Sequence, residues 1–245
     1  MNEKGDPTIM TIEQTGITQI SQAPKPYFCA CWLGTIDYQS AYDLQRKLWR
    51  RILNRQSENM LLLLEHPPTL TLGKSGKLEN LLVKPEELAA RGISLFFTDR
   101  GGDITYHGPG QLVAYPILRL QDYGKDIHQY IYNLQETAIR TLCDYSISAR
   151  RDKQHIGVWV GGEKIAAIGV AVHRWVTMHG LALNVNPALQ HFNIINPCGI
   201  TDKGVTSMSK LLSRKITTEE IARTFTRHFS DVFKANIEMI SSENL

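Results

Sequence analysis

The sequence contains no run of about 18 consecutive apolar residues, the length a helix needs to cross a bilayer, so no membrane span is expected. It also has no block of lysine and arginine of the kind that follows a phosphate backbone. With 27 Lys and Arg against 24 Asp and Glu, the formal charge is only +3, too small to argue for nucleic acid as a partner. A mild positive excess of this size still helps to steer acidic proteins toward the chain. Cysteine is scarce: Cys29, Cys31, Cys143 and Cys198 form no CxxC pair and no metal-ligand spacing, which excludes a zinc knuckle and a disulfide framework. Reduced thiols and a cytoplasmic location are the expectation. The opening stretch, MNEKGDPTIM, agrees, having neither the apolar core of a signal peptide nor an arginine-rich amphipathic pattern.

What is present is an ordinary globular composition, with 42% hydrophobic and 21% charged residues well mixed along 245 positions. Residues 1–26 are rich in Thr, Gln, Gly and Pro without periodicity and read as a flexible lead-in. Residues 27–245 contain no linker-like stretch or internal repeat and read as one catalytic domain, taken as a monomer.

Three segments carry helical periodicity. Ala41, Leu44, Leu48 and Ile52 follow Asp37, a good N-cap; Ile127, Tyr130, Ile131, Leu134, Ala138, Leu142 and Tyr145 follow Asp126. Ile221, Phe225, Phe229 and Val232 follow Thr217, with Glu220 positioned for a capping box. A short helix from Pro85 to Arg91 ends at Gly92. Strands are expected at 60–64, 95–97, 111–118, 156–160, 165–172 and 177–185, with Gly161–Gly162 as a hairpin turn. Strands outnumber helices and hairpins sit beside them. The fold class is therefore α+β, a mixed β-sheet flanked by helices, rather than a doubly wound parallel sheet.

Three segments stand out chemically. Arg100-Gly101-Gly102-Asp103-Ile104-Thr105-Tyr106-His107-Gly108-Pro109-Gly110-Gln111 holds too many glycines for a regular helix or a plain strand. It is either a tight turn with a solvated histidine or a place where backbone approaches a ligand. It matches neither the GxxxxGK[ST] phosphate loop nor a GxGxxG turn, so nucleotide binding is not indicated. In the second segment, Lys164 follows the hairpin turn and enters an apolar strand. Such a lysine either guards a sheet edge or points inward for a purpose. In the third, Cys198 lies between Pro197 and Gly199 in a loop, unlike Cys143 in its helix or Cys29 and Cys31 in their strand.

A thiol must ionise to attack, and with an ordinary pKa of about 8.5 it is mostly protonated at neutral pH. A nearby ammonium stabilises the thiolate and can return a proton to a leaving group. A Cys198/Lys164 pair is thus chemically sufficient for acyl transfer without metal or nucleotide, although the sequence does not say that the two meet. His107 is a secondary candidate for proton transfer or positioning, with a plain loop histidine as the alternative; His66 and His179 are weaker candidates.

The ordered set RGGDITYHGPGQ, GGEKIAAIG, HGLALNVN and FNIINPCGI closely resembles the LipB-type octanoyltransferase family over most of the chain after residue 27. The resemblance implies the biotin/lipoate protein ligase-like fold. It implies Cys198 as the acyl-carrying nucleophile and Lys164 as the group that lowers its pKa and moves protons. It implies an acyl-substrate pocket lined by Arg100, Gly101, Gly102, Asp103, Ile104, Thr105, Tyr106 and His107, by Ala167, Ile168 and Gly169, and by Gly180, Leu181 and Ala182. Asp103 falls where the family varies. The implied donor is octanoyl-acyl carrier protein. The implied acceptors are the lipoyl domains of 2-oxoacid dehydrogenase E2 subunits and the glycine cleavage H protein, with no cofactor and no metal. Small residues such as Gly169, Gly180 and Ala182 would leave room for the acyl chain, and glycine-rich backbone near His107 or Cys198 would supply oxyanion donors. Three other readings differ in what they require. An ATP-dependent lipoate or biotin ligase has no use for a nucleophilic Cys198, a non-catalytic binding protein would not need both Cys198 and Lys164, and a thiol hydrolase would release free octanoate.

Overall fold

The computed structural model of the chain describes residues 26–196 and 204–245. Cys198 and nearly all of the 1–26 lead-in lie outside the described residues. Among the described residues the chain runs β1 (Tyr27–Thr35), α1 (Tyr38–Leu53), β2 (Asn59–Glu65), β3 (Thr69–Leu72), α2 (Pro85–Ala90), β4 (Ser94–Phe97), β5 (Ile104–His107), β6 (Gln111–Ile117), α3 (Ile127–Cys143), β7 (Val158–Val160), β8 (Glu163–His173), β9 (Val176–Asn184), α4 (Met208–Leu212), α5 (Thr218–Phe233) and β10 (Asn236–Met239).

Seven strands form one mixed sheet in the order β10-β1-β2-β6-β9-β8-β7, and three form a smaller sheet, β4-β3-β5. In the large sheet β1 pairs parallel with β2 and β10, while β2, β6, β9, β8 and β7 pair antiparallel in turn. Its two faces are sorted by the period-two alternation of side chains. Leu112, Ala114, Leu181 and Leu183 pack against α3 and α5 through Leu134, Ala138, Phe225 and Phe229. Val113, Tyr115 and Ala182 turn to the opposite face, where Ala41, Leu48 and Ile52 of α1 cover part of the sheet. Strand β2 is buried along Met60–Leu64 because both of its faces are covered, which is why its sequence is an unbroken apolar run. A third cluster, Leu70, Leu72, Ile104 and Tyr106 with Leu88 and Ile93, lies under the small sheet.

The helix starts follow their caps. Asp37 accepts a hydrogen bond from the Ser40 amide at 2.9 Å and Asp126 from the Gln129 amide at 3.0 Å. Thr217 accepts from the Glu220 amide at 3.2 Å. The reciprocal half of the expected capping box does not form, because the Glu220 carboxylate takes a hydrogen bond from Tyr145 Oη instead. The glycine-rich stretch from Arg100 does contain regular structure: Ile104–His107 is strand β5, antiparallel to β3, with the glycines flanking it. Cys143 is not a buried helical cysteine; it ends α3 and is exposed. No helix among the described residues is long and apolar enough to cross a membrane.

Candidate active site

The uncovered part of the large sheet, over β6, β8 and β9, faces the small sheet and the loop from Arg100. Between them is a cleft enclosing about 810 Å³ of empty space, the open solvent at its mouth included. Strand β6 contributes Gln111, Val113 and Tyr115, and β9 contributes His179 to Ala182 and Asn184. Strand β8 adds Lys164 and Ala167 to Gly169, while Ile104, Thr105 and His107 of β5 and Tyr38 of α1 line the other side.

Lys164 is 9% exposed, which settles its position: it is a buried lysine and not an edge guard. Its ammonium lies over the ring of Trp159, 4.9 Å from the centroid. Its stem passes Gly157, where an added Cβ would fall 3.3 Å from Lys164 Cε and 2.8 Å from the Ala166 carbonyl oxygen. Gly157 also has φ +141, a conformation that only glycine adopts readily. Its bend explains why β7 starts at Val158 and not at Ile156. The Lys164 backbone is held on its other side as well. Its N–H donates to the Gly204 carbonyl at 2.9 Å, and the Thr206 N–H donates to the Lys164 carbonyl at 3.0 Å. The chain resuming at Gly204 is therefore held against the lysine, while Asn196, before the 197–203 segment, donates its N–H to the Asn80 carbonyl; both Phe192 and Val205 line the cavity.

A chain of buried polar groups crosses the cavity wall from this end. Asn184 Nδ2 donates to the Thr206 carbonyl at 3.1 Å, and its Oδ1 accepts from Gln111 Nε2 at 2.9 Å. Gln111 Nε2 donates also to the Tyr106 carbonyl, so Oε1 is the acceptor facing His107 Nδ1 at 2.7 Å. His107 must then carry its proton on Nδ1 and present Nε2 as an acceptor toward Thr71 Oγ1, 3.4 Å away. Burial, with His66 nearby, pushes the His107 pKa down to about 3, so the ring is a neutral imidazole at physiological pH. Thr71 in turn accepts from Arg100 Nε and Nη2, at 3.2 and 2.8 Å. Arg100 also donates to the carbonyls of Thr71, Gly101 and Asp103, tying the glycine-rich loop to β3.

Two glycines at the cavity have a different rationale from the one expected of them. A Cβ on Gly180 would fall 2.2 Å from the Ala114 carbonyl oxygen, and one on Gly169 would fall 2.8 Å from the Gly101 carbonyl oxygen. Their missing side chains admit the protein's own backbone. The open width comes from alanines, with Ala167 facing Ala182 across the β8–β9 ladder.

The rings of Tyr38, His66 and Tyr115 group together further along β6 from Gln111. Tyr115 Oη donates to His66 Nε2 at 2.9 Å, and His66 Nδ1 donates to the Ile36 carbonyl at 2.7 Å. Burial lowers the His66 pKa to about 4, consistent with a neutral acceptor. Tyr38 Oη donates to Thr98 Oγ1 at 3.0 Å. His179 meets Asp99 at 2.8 Å, and the exposed His173 meets the other Asp99 oxygen at 3.0 Å. These hydrogen bonds hold the Asp99 carboxyl well below the usual carboxylate range.

Of the pocket residues named from sequence, Arg100, Gly102, Asp103, Ile104, Thr105, His107, Ala167, Ile168, Gly169, Gly180, Leu181 and Ala182 border this cavity. Gly101 and Tyr106 do not. Gly101 donates its N–H to the Val170 carbonyl, and the Tyr106 ring packs in the small-sheet core on His191 and Phe192. Sequence reading missed Gln111, Val113, Tyr115 and Asn184 as site residues. Their alternation on β6 and β9 was readable, but which face would stay uncovered was not.

The family model for the lipoyl protein ligase A/B catalytic domain matches residues 37–230. An octanoyltransferase of Caldicellulosiruptor saccharolyticus is 48% identical over 217 residues, covering 88% of this chain and 92% of that relative. One of Desulforamulus reducens is 49% identical over 214 residues, covering 87% and 94%. Among solved structures, a bipartite lipoate protein ligase from Thermoplasma acidophilum superposes with a TM-score of 0.70 at 16% identity, over 88% of this chain and 87% of its own. That likeness shows the fold. The chain belongs to the lipoyl protein ligase A/B catalytic domain family. Within it the chain stands with the octanoyltransferases and is an acyltransferase, and the ATP-dependent ligase reading is not favoured.

Proposed function

We propose that this chain, as one catalytic unit over residues 27–245 working in the cytoplasm, moves an octanoyl group from acyl carrier protein through Cys198 to a lysine of a lipoyl domain. The acceptors are the lipoyl domains of 2-oxoacid dehydrogenase E2 subunits and the glycine cleavage H protein. The observation that carries the reading is the buried Lys164 lining a largely apolar cavity, laddered to Gly204 and Thr206 just beyond the Cys198 segment.

In the first step the Cys198 thiol gives its proton to the Lys164 amine, and the thiolate attacks the thioester carbonyl. A new carbon–sulfur bond forms, the old one breaks, and the carrier thiolate leaves, taking its proton from the Lys164 ammonium and so restoring the neutral amine. In the second step the acceptor lysine, deprotonated with Lys164 acting as base, attacks the Cys198 thioester. An amide forms and the Cys198 thiolate is released. The cavity residues from Arg100 to His107, Ala167 to Gly169 and Gly180 to Ala182 make up the acyl site, with Gly101 and Tyr106 contributing only through its frame. Burying methylenes at about 0.8 kcal/mol each holds the chain there.

Incubation with octanoyl-acyl carrier protein without ATP, followed by intact-mass analysis, tests this. The expected result is one added octanoyl group on Cys198 that disappears when a lipoyl domain is supplied, and no adduct on Cys198→Ser. An adduct that survives on Cys198→Ser, or transfer only when ATP is added, would overturn the reading.

A further inference from the structure

The register of the strands gives the cavity an axis. Residues two apart on a strand face the same side, and three rungs follow one another along β6, β8 and β9. The first pairs Gln111 with Asn184, beside Lys164. The second pairs Val113 with Ala182, and Ala182 with Ala167. The third holds Tyr115 on β6, level with Gly180, which pairs with Gly169. The rungs run from polar, through small and apolar, to aromatic.

At about 3.4 Å per residue, the four residues from the first rung to the third span about 14 Å. A ring keeps an alkyl carbon about 3.5–4.0 Å away, leaving about 10 Å of run. An extended eight-carbon chain, with seven bonds of about 1.5 Å in a zigzag, measures on the order of 9 Å. The two tyrosine hydroxyls at this end do not face such a chain. Tyr115 Oη is committed to His66 and Tyr38 Oη to Thr98, and neither His66 nor Thr98 lines the cavity. Tyr38 packs within the same aromatic group, 5.3 Å from the His66 ring. Both tyrosines therefore turn ring carbon toward the cavity, beside the Arg100 side chain, which packs on Gly169 with its guanidinium bonded to Thr71 and to the Gly101 and Asp103 carbonyls.

We infer that Tyr115, backed by Tyr38, is the far wall that sets acyl chain length, with the chain lying along the strands from Lys164. This rests on the acyl-transfer reading above. Tyr115 is a specificity residue and takes no part in the bond-making steps.

The test compares kcat/KM for hexanoyl, octanoyl, decanoyl and dodecanoyl carrier thioesters. In Tyr115→Leu the decanoyl-to-octanoyl ratio should rise about tenfold, near the worth of burying two further methylenes. In Tyr115→Phe, which keeps the ring and drops the hydroxyl, the ratio should hold even if the melting temperature falls. An unmoved ratio in Tyr115→Leu overturns the inference while octanoyl transfer by the wild type leaves the functional reading intact. Failure of the wild type to transfer octanoyl overturns both. Should Tyr115→Leu not fold, the wild type can be given an octanoyl thioester with a terminal diazirine and photolysed. Crosslinks mapping to Tyr115 or Tyr38 support the inference, and crosslinks at Val205, beside Lys164, or at Phe192 overturn it.

Discussion

Lys164 and Trp159 are cross-strand partners in the β7–β8 hairpin, and the indole face carries the lysine ammonium 4.9 Å from the ring centre. Such a contact is worth about 0.5–2 kcal/mol when shielded from water, enough to fix a flexible side chain in one direction. In Lys164→Met the transfer rate should fall by about two to four orders of magnitude, the usual contribution of a positioned proton-transfer group. In Trp159→Leu the expected fall is smaller, on the order of tenfold. Single-turnover transfer on protein checked for folding by circular dichroism measures both, and a Lys164→Met variant with near wild-type transfer removes the lysine from the chemistry.

Gly157→Ala should weaken the fold by about 1–3 kcal/mol, since φ +141 disfavours a side chain and the new Cβ meets the Ala166 carbonyl at 2.8 Å. The same methyl presses on the Lys164 stem, so transfer should slow as well. Urea denaturation with a parallel rate assay reads both effects. A variant as stable and as fast as the wild type would show that the backbone tolerates the crowding.

His107 should stay a neutral imidazole with its proton on Nδ1 between pH 5 and pH 8, because Gln111 Oε1 accepts from that nitrogen and burial opposes the charged form. Nitrogen NMR of labelled histidine reads the tautomer directly. Titration in that range, or a proton on Nε2, would contradict the hydrogen-bond chain from Asn184 to Arg100.

Stability should decline on acidification from about pH 6.5 to about pH 4. His66 and His107 have folded-state pKa values of about 4 and about 3, below the ordinary value near 6.5. In that window the unfolded chain takes up protons that the folded one refuses, so the unfolding free energy falls with pH, by on the order of a few kcal/mol. The contribution is complete above about pH 6.5 and is lost progressively below it. Denaturant midpoints at pH 7 and pH 5 measure it, and equal midpoints would mean the two rings are not buried neutral.

Local signals in the sequence were strong where chemistry is local. Asp37, Asp126 and Thr217 cap their helices as their spacing indicated, and Gly161–Gly162 turns the hairpin. The small sheet was only half legible. Thr69–Leu72 follows two prolines and is four residues long, and β5 is hidden between glycines that read as turn. Nonlocal facts escaped altogether. Nothing near Tyr115 in the sequence says that His66 will accept its hydroxyl, and nothing near Gly180 says that a neighbouring carbonyl will occupy the space its side chain lacks. The glycines looked like room for a ligand because spacing cannot distinguish a ligand from a strand.

The tie between Lys164 and the returning chain consists of two backbone hydrogen bonds, from Lys164 to Gly204 and from Thr206 to Lys164. A ladder that short opens as a unit, because losing either bond leaves a single contact to hold the register. The amide protons of Lys164 and Thr206 should then exchange with solvent deuterium at matched rates, well ahead of their neighbours in the β8–β9 ladder. The lysine thus sits where the long β8–β9 ladder gives way to a tie of two bonds.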